Sequence, residues 1–175
     1  MKQIFLEIQE RLQNAVPELK WIDMDMGQLE HYGDRPAVLW PCCLIDFDDT
    51  EFSDMGDNAQ MAQCTISIRL GFNVVEGTNS FTKPVTKANA MKIFDVIEKV
   101  NAALHGWRGT VFSTLNRKSQ KKENRTDPLK VYELVYLTAY EDFTANTIDD
   151  EPNSFGIEFN ENENVIDPDP SPGHM

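Results

Sequence analysis

At 175 residues, with 41% hydrophobic residues and a formal charge of −13, the chain is sized for one domain and a tail. It has no stretch of about 18 apolar residues, so the sequence predicts no membrane span. The excess of acid argues against a general nucleic-acid surface, which needs net positive charge to displace counterions.

The first predicted element is a helix over 2–15. Ile4, Ile8, Leu12 and Ala15 recur at helical spacing, and Phe5 widens the stripe. Glu7, Glu10 and Arg11 interrupt the apolar pattern, so the segment reads as an amphipathic helix rather than a signal peptide, and predicts a cytoplasmic chain. Pro17 ends it, because the residue before a proline is pushed out of the α region. Residues 20–26 alternate, Ile22, Met24 and Met26 against Asp23 and Asp25, which predicts a short half-buried strand. Its two carboxylates fall on the wet face, where neither gains the raised pKa that acid/base chemistry needs. A loop follows from Gly27 through Gly33-Asp34. The second strand is predicted over 37–47, with Pro41 marking an edge or a bulge. Cys42, Cys43 and Cys64 form no C-x-x-C, which predicts buried, unpaired thiols in a reducing compartment.

Residues 48–62 carry Asp48, Asp49, Glu51, Asp54 and Asp57 and read as an acidic hairpin loop. A calcium-loop register fails there. Counted from Asp46, Glu51 falls where the sharp turn needs Gly, and Asp57 falls where a bidentate Glu belongs. Residues 63–74 are the most regular stretch of the chain. Every even position from Cys64 to Val74 is apolar, and every odd one is polar or Gly, which predicts a long strand with one buried face. The second helix is predicted over 86–104, where Ala90, Ile93, Ile97, Val100 and Leu104 share a face. Thr86 is its expected N-cap and Gly106 its expected left-handed stop. His105 at its C-terminus suits the helix dipole as a cation. A strand is expected over 110–115, a polar loop over 116–128 and the last strand over 129–143.

That polar loop holds five of the 16 bases within nine residues: Arg117, Lys118, Lys121, Lys122 and Arg125. No aromatic residue interleaves with them, which weakens a single-strand-binding reading. A phosphate-binding arm, a protein contact and a solvated tip stand as the three readings. The last strand is apolar on both sides. Val131, Val135, Leu137 and Ala139 share one face, and Tyr132, Leu134, Tyr136 and Tyr140 share the other. Such a strand is covered on both faces or presents one to a partner. After Phe143 periodicity ceases. Residues 144–175 hold eight acids and no Lys or Arg, and read as a flexible acidic tail. Within it Phe155, Ile157 and Phe159 form a short alternating island. No phosphate-loop, dinucleotide or H-E-x-x-H motif occurs, so the sequence offers no catalytic residue, metal site or cofactor.

The order α-β-β-β-α-β-β predicts an α+β fold, a mostly antiparallel sheet of about five strands with two helices on one face. Four features in sequence carry a resemblance: the long alternating strand from Gln63 to Val75, the helix from Thr86 to Leu104, the turn Leu104-His105-Gly106-Trp107-Arg108-Gly109, and the final strand Val131-Tyr132-Glu133-Leu134-Val135-Tyr136. With the N-terminal helix, they resemble the tail terminator (tail completion) proteins of long-tailed bacteriophages and related prophage systems, over residues 1–143. The acidic stretch 48–57 and the tail 144–175 depart from that pattern.

The resemblance implies a non-enzymatic virion protein at the head–tail joint. Such a protein forms a ring, usually a hexamer, that caps the tail tube, ends its polymerisation and receives the head–tail connector. Its partners would be copies of itself, the tail tube protein and the connector protein, with nucleic acid only as DNA passing through the ring. The expected contacts are the aromatic face Tyr132, Tyr136 and Tyr140, the basic residues of 117–125, and Asp48, Asp49, Glu51 and Asp54. Two alternatives stand beside it: a head-completion or adaptor protein at the same joint, and a monomeric acidic inhibitor or immunity-type module that masks a basic enzyme.

Overall fold

The two-residue apolar period of the third strand is the seam on which the fold is built. The computed structural model describes residues 1–30, 38–73 and 77–147. In chain order these form helix α1 (Lys2–Ala15), strands β1 (Trp21–Met24), β2 (Cys42–Gly56) and β3 (Ala59–Phe72), helix α2 (Pro84–Leu104), strands β4 (Asn116–Lys122) and β5 (Lys130–Asp142), and a 3-10 turn at Thr144–Thr147. One five-stranded sheet runs β1-β2-β3-β5-β4. The β1–β2 pair is parallel and the other three are antiparallel. This is the α+β architecture and the element order expected from the sequence. The expected acidic tail, with its Phe155-Ile157-Phe159 island, lies almost wholly outside the described residues, as do Gly33-Asp34 and Val74.

Even-numbered residues of β3 face both helices. Ile66, Ile68 and Leu70 pack in one cluster with Ile4, Ile8 and Leu12 of α1 and Ile97, Val100 and Leu104 of α2. Each such side chain contributes about 1.5–3 kcal/mol on burial. The opposite sheet face carries a smaller cluster of Leu29, Val38, Cys42, Leu44, Leu129 and Val131, flanked by Trp21 and Trp40. The start of β2 serves both, with Cys43 and Ile45 turned to the helices and Cys42 and Leu44 turned away. All three cysteines are buried and unpaired, and burial pushes the Cys42 thiol up to about 11.

The second face also holds a dense ionic cluster. Arg69 of β3 donates to Asp25 at 2.6 Å, Glu30 at 2.5 Å and Glu123 at 2.7 Å. Arg125 donates to Glu123, to Asp127 and to the Leu29 carbonyl. The chain after β1 and the chain after β4 are thereby tied to the sheet. This corrects the wet-face placement of Asp25, whose side chain is only 7% exposed. The strand ends at Met24, and the next residue turns under the Arg69 guanidinium.

Several boundaries differ from the sequence reading. Residues 48–62 are not a hairpin loop. β2 and β3 stay paired out to Gly56 and Ala59, and the turn is Asp57-Asn58, with φ of 51° and 58°. A two-residue turn with both φ positive matches the twist of a hairpin, and Asp and Asn tolerate that conformation. Residues 110–115 are not a strand but an irregular connection that buries Phe112 and Leu115. It is closed by bonds from the Gly106 amide to the Leu115 carbonyl and from the Leu115 amide to the Trp107 carbonyl. Gly109 lets it pass, since a Cβ there would lie 2.2 Å from Phe112 and 2.5 Å from Glu7. The fourth strand is 116–122, inside the expected polar loop. Helix α2 starts at Pro84, where a missing N–H costs nothing, so Thr86 is not its cap. Gly106 does take the left-handed conformation, at φ 80°. Pro41 precedes β2, and the irregularities in that strand fall between Phe47 and Thr50 and between Asp54 and Gly56.

Candidate assembly surfaces

Strand β2 outruns its neighbour. β1 pairs with it only over Cys42–Ile45, so among the described residues Asp46–Gly56 forms the outer strand of a projecting arm. Asp48, Asp49, Glu51 and Asp54 all lie on this arm and are exposed. The arm has no apolar core of its own on β2. Its order comes from backbone pairing to β3, and β3 is in turn paired to β5 as far as Gln60 opposite Asp142. Phe52 and Met55, each 50% exposed, are its only large apolar side chains on that strand beyond Phe47.

The basic residues sit at the far side of the sheet. Arg117, Lys118, Lys121 and Lys122 belong to β4, the other edge, and all seven residues of that strand are exposed. The structure therefore separates the acidic and basic groups by the width of the sheet. Arg125 is not part of the basic edge. It is turned inward, where its bond to Asp127 holds that carboxyl below the usual range, and, second to Arg69, it helps hold Glu123 low against the effect of burial. Lys121 is also engaged, with its Nζ 2.7 Å from Glu133, an attachment that raises its pKa. Glu133 is reached at 3.2 Å by the Ser67 hydroxyl, which lies 2.6 Å from Asp48. A polar row thus crosses the sheet from the acidic arm to the basic edge.

The tyrosine face is corrected. Tyr132, Tyr136 and Tyr140 point toward the helices, not outward. Tyr136 is fully buried, donates to Asn101 at 3.3 Å and has its hydroxyl pKa pushed up by burial. Tyr132 is half-buried between Phe72 and Phe94 in edge-on contacts. Tyr140 is half-buried at the end of the same cluster. The helices needed a partner surface, and this face supplies it. The half-exposed side of β5 is the other one, Val135, Leu137 and Ala139. Sequence alternation gave both faces and could not tell which one the helices cover.

A surface groove of about 570 Å³ lies between α1 and the 107–110 turn. Several of its polar groups are already engaged. Glu7 accepts from the Thr110 amide at 2.8 Å, and Arg11 donates to the Ala103 carbonyl at 2.6 Å while stacking 4.8 Å from the Trp107 ring. These contacts brace the helix pair. His105 does a related job, its Nδ1 accepting from the Arg117 amide and so fixing the start of β4 to the end of α2.

No protein-family model and no curated protein sequence matches this chain. Among solved structures, it is similar to a chain described as "Virion of native gene transfer agent (GTA) particle". The TM-score is 0.48 at 12% identity, covering 79% of this chain and 95% of that one.

Proposed function

We propose that this chain is a structural protein of a phage-type virion, a tail terminator that closes into a ring on the end of the tail tube. The ring ends tube polymerisation and presents a surface to the head–tail connector. Six subunits is the size implied by the resemblance in residues 1–143. The observation that carries the reading is the sheet itself, which ends in an acidic free edge on one side and a basic free edge on the other. A subunit with two unlike edges can bind further copies of itself through a heterologous contact, and such contacts make a ring when the rotation between copies closes. The same faces leave the helix side sealed, so assembly leaves the core intact.

The test has two parts. The solution mass by light scattering, with negative-stain images of the same sample, should show a closed ring. Tail tube protein polymerised in the presence of this chain should give shorter tubes with blocked ends. Tubes of unchanged length, with no particle bound at their ends, would count against the terminator role.

A further inference from the structure

We infer that copies of this chain join by edge-to-edge strand pairing, the basic β4 edge of one copy lying along the acidic outer edge of β2 in the next. The inference rests on the ring reading and names the surface that closes it.

The backbone comes first. Among the described residues, no strand lies outside β2 from Asp46 to Gly56, and β4 is the terminal strand on the other side. The Arg117 amide is taken by His105 and Lys118 stands at a bulge, so among the described residues the regular β4 edge is open from Ser119 onward, with the Lys118 side chain at its start. An open edge is a row of backbone donors and acceptors ready for another strand.

Charge then selects which edges meet. Two β4 edges would bring Lys118 and Lys122 against their own kind, and two β2 edges would do the same with Asp49 and Glu51. Only unlike edges attract. Pairing about a two-fold axis sets an edge against itself, so it is disfavoured, and the head-to-tail contact remains. Among the described residues, these four side chains have no oppositely charged partner within the subunit. Lysines on a free edge also discourage aggregation. That purpose alone does not account for an opposite edge of opposite sign. The contact would also cover Phe52 on the arm.

Two variants test this. Lys118→Glu with Lys122→Glu puts acids on β4 at the positions facing Asp49 and Glu51 of the next copy, and Asp49→Lys with Glu51→Lys puts lysines on β2 at the positions facing Lys118 and Lys122, so each variant alone sets like charges against each other there. All four positions are exposed, so both should keep the native melting temperature. Sedimentation velocity at low salt should show wild-type assemblies and each variant alone weakened about tenfold or more. An equimolar mixture should assemble again, with the two variants alternating. Salt at about 0.5 M, where screening acts within about 4 Å, should dissolve all of these assemblies.

Undiminished assembly of either variant alone overturns edge pairing and leaves a ring closed by some other surface. Failure of the mixture to recover overturns it equally. A wild-type chain that stays monomeric at low salt and at its highest soluble concentration overturns self-pairing, while the tube-length assay still judges the terminator role.

Discussion

Arg69 is the residue whose loss should reach furthest through the fold. It ties Asp25, Glu30 and Glu123 to β3 from two different stretches of chain, and its side chain is only 13% exposed. Arg69→Met keeps an apolar stem of similar length and removes the charge. Stranding the partners of a buried ion pair costs about 3–5 kcal/mol. Glu30 is 42% exposed and can return to water, so the lower end, about 3 kcal/mol, is the expected loss at neutral pH. For a chain of this size that corresponds to a melting temperature lower by about 6–12 °C.

The loss should depend on pH in a stated direction. In the native protein, burial raises the Glu123 pKa, but hydrogen bonds and charge from Arg69 and then Arg125 outweigh it and leave it below 4.5. A folded-state pKa below the unfolded one gives stability that is complete above the unfolded pKa and lost as pH falls through the folded one. Arg69→Met forfeits most of that contribution. The gap between variant and native protein should therefore be full above about pH 5.5 and shrink steadily below about pH 4.5. Thermal melts of both proteins across that range test it. A melting temperature lowered by less than about 2 °C at pH 7, or a gap that stays constant down to pH 3, would refute the reasoning.

Tyr136→Ala should destabilise by about 3–5 kcal/mol in urea denaturation, and Tyr136→Phe by about 1 kcal/mol, because the ring fills the core and the hydroxyl makes one bond. A Tyr136→Ala protein of native stability but impaired assembly would return this residue to the interface. Gly109→Ala should cost about 1–3 kcal/mol, since its Cβ would collide with Phe112, and a normal melt would show that the 107–115 connection yields. A thiol reagent at pH 8 should label folded protein far more slowly than urea-unfolded protein, because Cys42, Cys43 and Cys64 are buried with raised pKa values. Rapid labelling of the folded chain would contradict their burial.

What the sequence disclosed is what one-sided burial writes into it. The period of two over 63–74 located β3 because its even residues enter a core and its odd residues mostly do not. The stripes of α1 and α2 were legible for the same reason. β5 was found, but its two apolar faces gave equal signals. Only the packed structure shows that Tyr136 goes under the helices while Val135 stays at the other side. The Arg69 cluster was invisible because Asp25 and Glu30 follow β1 while Glu123 follows β4, and no local spacing records their meeting. The decoy at 110–115, Thr-Val-Phe-Ser-Thr-Leu, is rich in β-branched and aromatic residues that favour strands, yet it buries Phe112 and Leu115 from an irregular turn.

The two strands that hydrophobic periodicity missed are the outer half of β2 and the whole of β4. Both lie beyond the core, wet on both faces, so no alternation marks them. Their sequences, Asp-Asp-Thr-Glu and Asn-Arg-Lys-Ser-Gln-Lys-Lys, read as loops because only the backbone carries the pairing. Strands held mainly by backbone bonds gain little from burial, so they contribute little stability to the subunit that carries them. A module that only needed to fold would gain by shortening them. Keeping long polar strands of opposite charge at opposite edges is instead what a subunit requires if its last hydrogen bonds are made to its neighbours. The two polar edges that the pattern missed are therefore the places where the proposed edge pairing expects assembly.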